Sequence, residues 1–266
     1  MSRTVNRIKG FSFAAVYVGV YYAVAAVVYY LFYFWNKMSG ATVVEIENSV
    51  AENLYLMNIL VALVSLIIYQ IIGKLRKKQL STVVKRERCL PIIYFMTVSL
   101  AIGCRLLVSV YYFLSQKIDV LEKSIDNAVT MVPQSSQLFT ALLCAVVVAP
   151  WFEEILFRGL VMGELLKVVR PWVAITLQAI VFGVAHGVLF QFLYAFVIGI
   201  ILGIVYYRTK SINSVILCHM VFNVSAVLTQ EEYTLRGMLI CVLFGLLLCA
   251  LSVFYIIVNS KKDSRY

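Results

Sequence analysis

The chain has 266 residues, 62% of them hydrophobic and 14% charged, with a mean hydropathy of +0.92. A soluble domain carries roughly a quarter charged residues, so this balance excludes a soluble globular protein and predicts one integral, all-α membrane domain. The net charge of +10 does not signal nucleic acid, because the basic clusters fall between apolar runs, where they set orientation in a membrane.

A spanning helix needs about 20 predominantly apolar residues. Eight runs approach that length, at 11–35, 54–73, 90–115, 138–166, 172–187, 189–207, 212–229 and 237–258. The first is longer than the apolar region of a signal peptide and reads as a retained anchor. The fifth and seventh are short and carry polar residues. Charge placement supports a polytopic protein with about eight transmembrane helices and both termini cytoplasmic. Three basic residues precede the first run, seven lie in 74–89, and Lys167, Arg170, Arg208, Lys210 and the tail SKKDSRY follow on the same side. The opposite segments hold only Lys37, Lys117, Lys123 and Arg236, together with Glu45, Glu47, Glu52, Asp119, Glu122, Asp126, Glu231 and Glu232. That asymmetry follows the positive-inside rule loop by loop. A multi-pass protein of the cell membrane is the expectation.

The six cysteines form no CxxC pair, and five fall inside apolar runs, where cysteine behaves as a small hydrophobe. Neither a disulfide framework nor a thiolate zinc site is expected. No internal repeat or flexible linker divides the chain, so the division is one of character. Residues 1–137 hold three spans with one intramembrane charge, Arg105. Residues 138–229 hold nearly all the buried polar chemistry, and 230–266 add a last span and a basic tail.

Ionisable residues within spans are costly and usually mark function. Glu153, Glu154, Arg158, His186 and His219 stand out, with Asn223 beside them; Arg105 reads as a structural or snorkelling residue. Glu154 and Arg158 are four apart, so on a helix they share a face and can neutralise each other. Glu153 is turned about 100° from Glu154 and has no cation at helical spacing, so its partner must come from another helix. His219 and Asn223 are also four apart. At about 1.5 Å rise per residue, Glu153, His186 and Asn223 come roughly 20 Å from the inner boundary and His219 roughly 13 Å. Three helices read separately therefore bring polar groups to one layer. Gly199 and Gly203 form a GxxxG helix-packing signal.

In order, the chain carries EExxxR at Glu153–Arg158, FxxxH at Phe182–His186 and HxxxN at His219–Asn223. Together with Pro150, the FRG after the glutamates and RTKSINSVILCHMVFN around the last motif, this trio resembles the CAAX prenyl protease and bacteriocin-processing family of intramembrane endopeptidases, also called the Abi or type II CAAX protease-like family. The resemblance covers residues 138–229. It implies that Glu153 activates water with help from His186, that His219 and Asn223 stabilise the oxyanion, and that Glu154 and Arg158 support the site. In bacterial members it further implies action on small peptides or membrane-associated precursors, in bacteriocin or peptide-signal processing or in self-immunity.

The family has been described both as metalloproteases and as metal-independent glutamate proteases. Glu153, His186 and His219 are the zinc ligands the first description would require, and without an HExxH the spacing is compatible with either. No other cofactor is implied, and oligomeric state is not readable. Two further classes stay open: a noncatalytic immunity or scaffold protein that keeps the motifs for packing, and a transporter with a buried Glu/His relay.

Overall fold

Pro91, Pro171 and the capping side chains of Thr42, Ser211 and Thr234 mark where helices begin, and apolar runs carry them onward. The computed structural model describes residues 3–77, 89–129, 137–228 and 234–260. The basic residues at 78–88 and 261–266, and Glu231 and Glu232, lie outside the described residues. Among the described residues there are nine helices and no strand: α1 (Arg3–Met38), α2 (Val43–Leu75), α3 (Pro91–Ser115), α4 (Asp119–Val129), α5 (Leu138–Leu165), α6 (Pro171–Val184), α7 (Leu189–Thr209), α8 (Ile212–Leu228) and α9 (Leu235–Asn259).

Each of the eight apolar runs falls on a helix, and α4 is an extra, amphipathic one between the third and fourth. Six helices (α1, α2, α3, α5, α7 and α9) are long and apolar enough to cross a membrane. The expectation of about eight spans meets six helices of that kind among the described residues, and the other two runs fall on the shorter apolar helices α6, with 14 residues, and α8, with 17. A run of apolar residues thus overstates helix length where a turn carries apolar or small residues. This is the architecture of a polytopic membrane protein, with large apolar side chains such as Leu239, Leu243 and Phe244 of α9 exposed where lipid would cover them.

The central element is α5. Residues 154–162 are all buried, as expected of a helix packed on every side. It is touched by α1, α2, α6 and α8, while α3 packs against α8 and α9 and α7 packs against α6. At one end, Arg76 ties three helices together. It donates to Glu164 Oε1 at 2.9 Å and to the Tyr17 hydroxyl at 2.9 Å, with its guanidinium 3.3 Å over the Phe13 ring. Lys167 adds a second cation to Glu164 at 2.7 Å.

Candidate active site

The site is built around an irregular helix. α5 is α-helical at Ala149–Glu154 but π-helical on both sides, at Leu143–Val148 and Ile155–Val161. Such π segments are rare and gather at functional sites. The first has a local cause and a local consequence. Ala149 N–H donates to Cys144 O, five residues back, and the next residue, Pro150, has no N–H to give. The carbonyl of Ala145 is thereby left without its usual backbone donors. Asn223 of α8 supplies one, its Nδ2 donating to Ala145 O at 2.7 Å.

Glu153 and Glu154 emerge from the short α-helical stretch between the two π segments. Glu154 is fully buried, and its Oε1 accepts from Arg158 Nη1 at 2.8 Å, so the expected ion pair forms. The same oxygen also meets His219 Nδ1 at 2.8 Å. With Glu154 ionised against Arg158, Nδ1 is the donor, which fixes the imidazole and leaves Nε2 for chemistry. That Nε2 lies 4.0 Å from Glu153 Oε2. The partner required of Glu153 from another helix is therefore His219, and His219 stands between the two glutamates.

Arg158 is among the largest fully buried side chains. Besides Glu154 it reaches Gly199 O on α7 at 3.4 Å, an oxygen that also accepts from Gln178 of α6 at 2.8 Å. These contacts depend on the GxxxG pair. A Cβ on Gly199 would lie 3.0 Å from Ala179 Cβ and 3.1 Å from its Cα, so only glycine lets α7 approach α6 this closely.

His186 is not within a helix. α6 ends at Val184, and His186 occupies the turn that follows, where Gly187 takes a left-handed φ of +81°. This corrects the run drawn through 187, and the cause is the small Ala-His-Gly sequence, whose glycine closes the helix. In that turn His186 Nδ1 donates to Phe182 O at 2.8 Å, which again leaves Nε2. Phe182 explains the FxxxH spacing. Its ring lies edge-on to His186 (centroids 4.7 Å) and to His219 (6.0 Å), and the Arg158 guanidinium sits 4.4 Å from its centroid.

His219 and Asn223 both face α5, as their spacing predicts. α8 is set in register by a two-residue turn in which Lys210 is left-handed (φ 55°) and Ser211 caps the new helix through Ser214 N–H. Thr209 Oγ1 accepts from Ser211 N–H at 3.2 Å within the same turn. The RTKS that opens the quoted stretch thus shapes the turn, while the HMVFN that closes it reaches the site.

Glu153 and His186 line one cavity of about 160 Å³, with Tyr21 of α1, Phe152, Phe157, Ala185 and Gln191 of α7. Asn223 opens instead onto a neighbouring cavity of about 350 Å³ that also holds Arg105. The motif residues therefore form a continuous cluster of Glu153, Glu154, Arg158 and His219, with His186 across the Glu153 cavity and Asn223 one helical turn away. Gln178, Tyr21 and Gln191 contribute without standing out in the sequence, and Phe182 stands out there only as the first residue of FxxxH. Glu153, His186 and His219 offer the right atom types for zinc, and each His has an outer partner of the kind that orients metal ligands. Among the described residues, however, no group of three or more His, Cys, Asp or Glu is arranged to hold a metal ion.

Residues 135–225 match the family model described as type II CAAX prenyl endopeptidase Rce1-like. The match takes in all three motifs and covers about a third of the chain. No curated protein and no solved structure matches the chain.

Proposed function

We propose that this protein is an endopeptidase that hydrolyses peptide bonds within the membrane, using Glu153 to activate water. The observation that carries the reading is the unequal treatment of two adjacent glutamates. Glu154 is neutralised by Arg158 and bonded to His219, whereas Glu153 has no partner within hydrogen-bond distance among the described residues and opens onto a cavity. Peptide hydrolysis needs a base for water and preorganised donors for the oxyanion.

In this reading Glu153 takes a proton from water as the resulting hydroxide attacks the scissile carbonyl carbon. His186, anchored through Nδ1, orients that water through Nε2. The tetrahedral oxyanion is met by Nε2–H of protonated His219, whose charge is balanced by Glu153 before proton transfer, and by the N–H of Asn223 not engaged with Ala145. As the intermediate collapses, Glu153 returns its proton to the leaving amine and the C–N bond breaks. Glu154, Arg158 and Phe182 hold His219 and His186 in place. The substrates are small peptides or membrane-associated precursors at the cell membrane, with bacteriocin or peptide-signal processing or self-immunity as the setting.

The test is mass spectrometry of a peptide library incubated with the purified full chain in isotopically labelled water, with and without chelator. Cleavage that places one labelled oxygen in the new carboxyl group and survives chelator is expected. Cleavage abolished by chelator would replace the glutamate–water mechanism with a metal-dependent one. Absence of any cleavage would favour a noncatalytic scaffold.

A further inference from the structure

Four polar side chains line the Glu153 cavity: Glu153 and His186, which act on the water in that reading, and Gln191 and Tyr21. Tyr21 lies on α1, outside residues 135–225, at 18 residues after Arg3 and 17 before Met38. At about 1.5 Å per residue both helix ends are roughly 26 Å away, so this phenol is far from the interfaces where membrane tyrosines gather. Its place is fixed by a run of aromatic contacts that begins four residues earlier, on the same face of α1. Tyr17 meets Tyr69 of α2 edge-on, with centroids 5.5 Å apart, and its carbonyl accepts the Tyr69 hydroxyl at 2.8 Å. Tyr69 stacks on Phe152 at 6.3 Å, and Phe152 meets the Tyr21 ring at 5.5 Å. Phe152 precedes Glu153, so the packing that seats α1 on α5 also sets Tyr21 on the cavity of the base.

A tyrosine hydroxyl drawn into the protein ordinarily finds a partner. Those of Tyr17 and Tyr69 are bonded, whereas the half-buried Tyr21 has no partner for its hydroxyl among the described residues. The oxyanion, in turn, needs donors at this cavity. Asn223 opens onto the neighbouring one and gives an N–H to Ala145 O, while His219 Nε2 stands 4.0 Å from Glu153. Resting on the endopeptidase reading, we infer that Tyr21 is a further catalytic residue, its hydroxyl donating a hydrogen bond to the oxyanion formed in the Glu153 cavity. As hydroxide adds to the scissile carbon, the C=O π pair moves onto the carbonyl oxygen, and the phenol O–H donates to that oxygen while keeping its proton. Collapse of the intermediate returns the pair to the C=O bond as the C–N bond breaks. A ring already held against Phe152 presents its donor with little reorganisation, the property that makes such donors effective. Gln191 has a more flexible side chain and more freedom to lose on being ordered.

The experiment uses the full chain in detergent with a peptide that wild type cleaves, and with the matching phosphinate pseudopeptide, whose tetrahedral phosphorus replaces the scissile carbonyl carbon. Tyr21→Phe removes the hydroxyl and keeps the ring on Phe152, so its melting temperature should stay with wild type. Its kcat is expected to fall about a hundredfold with KM held within about twofold. Affinity for the phosphinate should weaken by about the same factor as kcat/KM, a readout that a merely structural role would not move in step. Tyr22→Phe, at the exposed neighbouring tyrosine, should leave both unchanged. A folded Tyr21→Phe protein with wild-type kcat would overturn the inference, as would a loss confined to KM or one without weaker phosphinate binding. A loss in Gln191→Leu beside a fully active Tyr21→Phe would overturn it too, by moving the donor to Gln191. If wild type cleaves no peptide, the endopeptidase reading itself fails and this role falls with it, so the wild-type control separates the two failures.

Discussion

At the residue scale, two adjacent glutamates differ because their surroundings differ. Glu154 shares one oxygen with Arg158 and His219, all three buried. Removing its charge strands a guanidinium, and breaking a buried pair in that way costs about 3–5 kcal/mol. Glu154→Gln is therefore expected to lower the melting temperature of the purified protein markedly and to reduce cleavage as well, since His219 loses its anchor. Arg158→Met should destabilise by a similar amount, because it strands the Glu154 carboxylate instead. Retention of wild-type thermal stability in both variants would contradict the ion-pair account. The pairing of Glu154 with Arg158 was legible in the sequence because i,i+4 spacing is a local property. The bond from His219 to Glu154 was not, since it joins residues 65 apart and depends on how α8 is set against α5.

At the element scale, α5 is shaped by what its backbone lacks. Pro150 withholds an N–H, Ala149 donates five residues back, and Asn223 completes the Ala145 carbonyl. Asn223→Ala should cost about 1–3 kcal/mol through that unsatisfied carbonyl. Pro150→Ala restores a backbone donor, so the cost of Asn223→Ala should be smaller in that background. A double-mutant cycle by thermal unfolding is expected to give a coupling of about 0.5–3 kcal/mol, and strict additivity would sink the idea. Gly199→Ala is expected to destabilise by about 1–3 kcal/mol through overpacking against Ala179, again read by thermal unfolding. Hydropathy located eight of the nine described helices on apolar runs and passed over the amphipathic α4. It could not register the π segments, which arise from backbone hydrogen bonding, or the end of α6 at Val184, where apolar and small residues continue through a left-handed glycine.

At the scale of the whole molecule, the motif segment does not stand alone. α1 contributes Tyr21 to the Glu153 cavity, and α3 contributes Arg105 to its neighbour, although neither helix lies within residues 135–225. The cluster of Arg76, Glu164 and Tyr17 joins α1, α2 and α5. Glu164→Ala is expected to lower the melting temperature by the loss of charge-assisted hydrogen bonds worth about 1.5–3 kcal/mol. The basic and acidic alternation between runs made a polytopic protein legible, because orientation depends on loop charge alone. Which side chains from distant helices meet in one cavity depends on packing, and that pattern has no signature in a linear sequence. The most direct measurement of the central claim is peptide cleavage and melting temperature recorded together for wild type and Glu153→Gln. The account predicts a variant that melts with wild type and cleaves at least about a hundredfold more slowly, the loss of a general base. A folded Glu153→Gln protein that cleaves at the wild-type rate would contradict it.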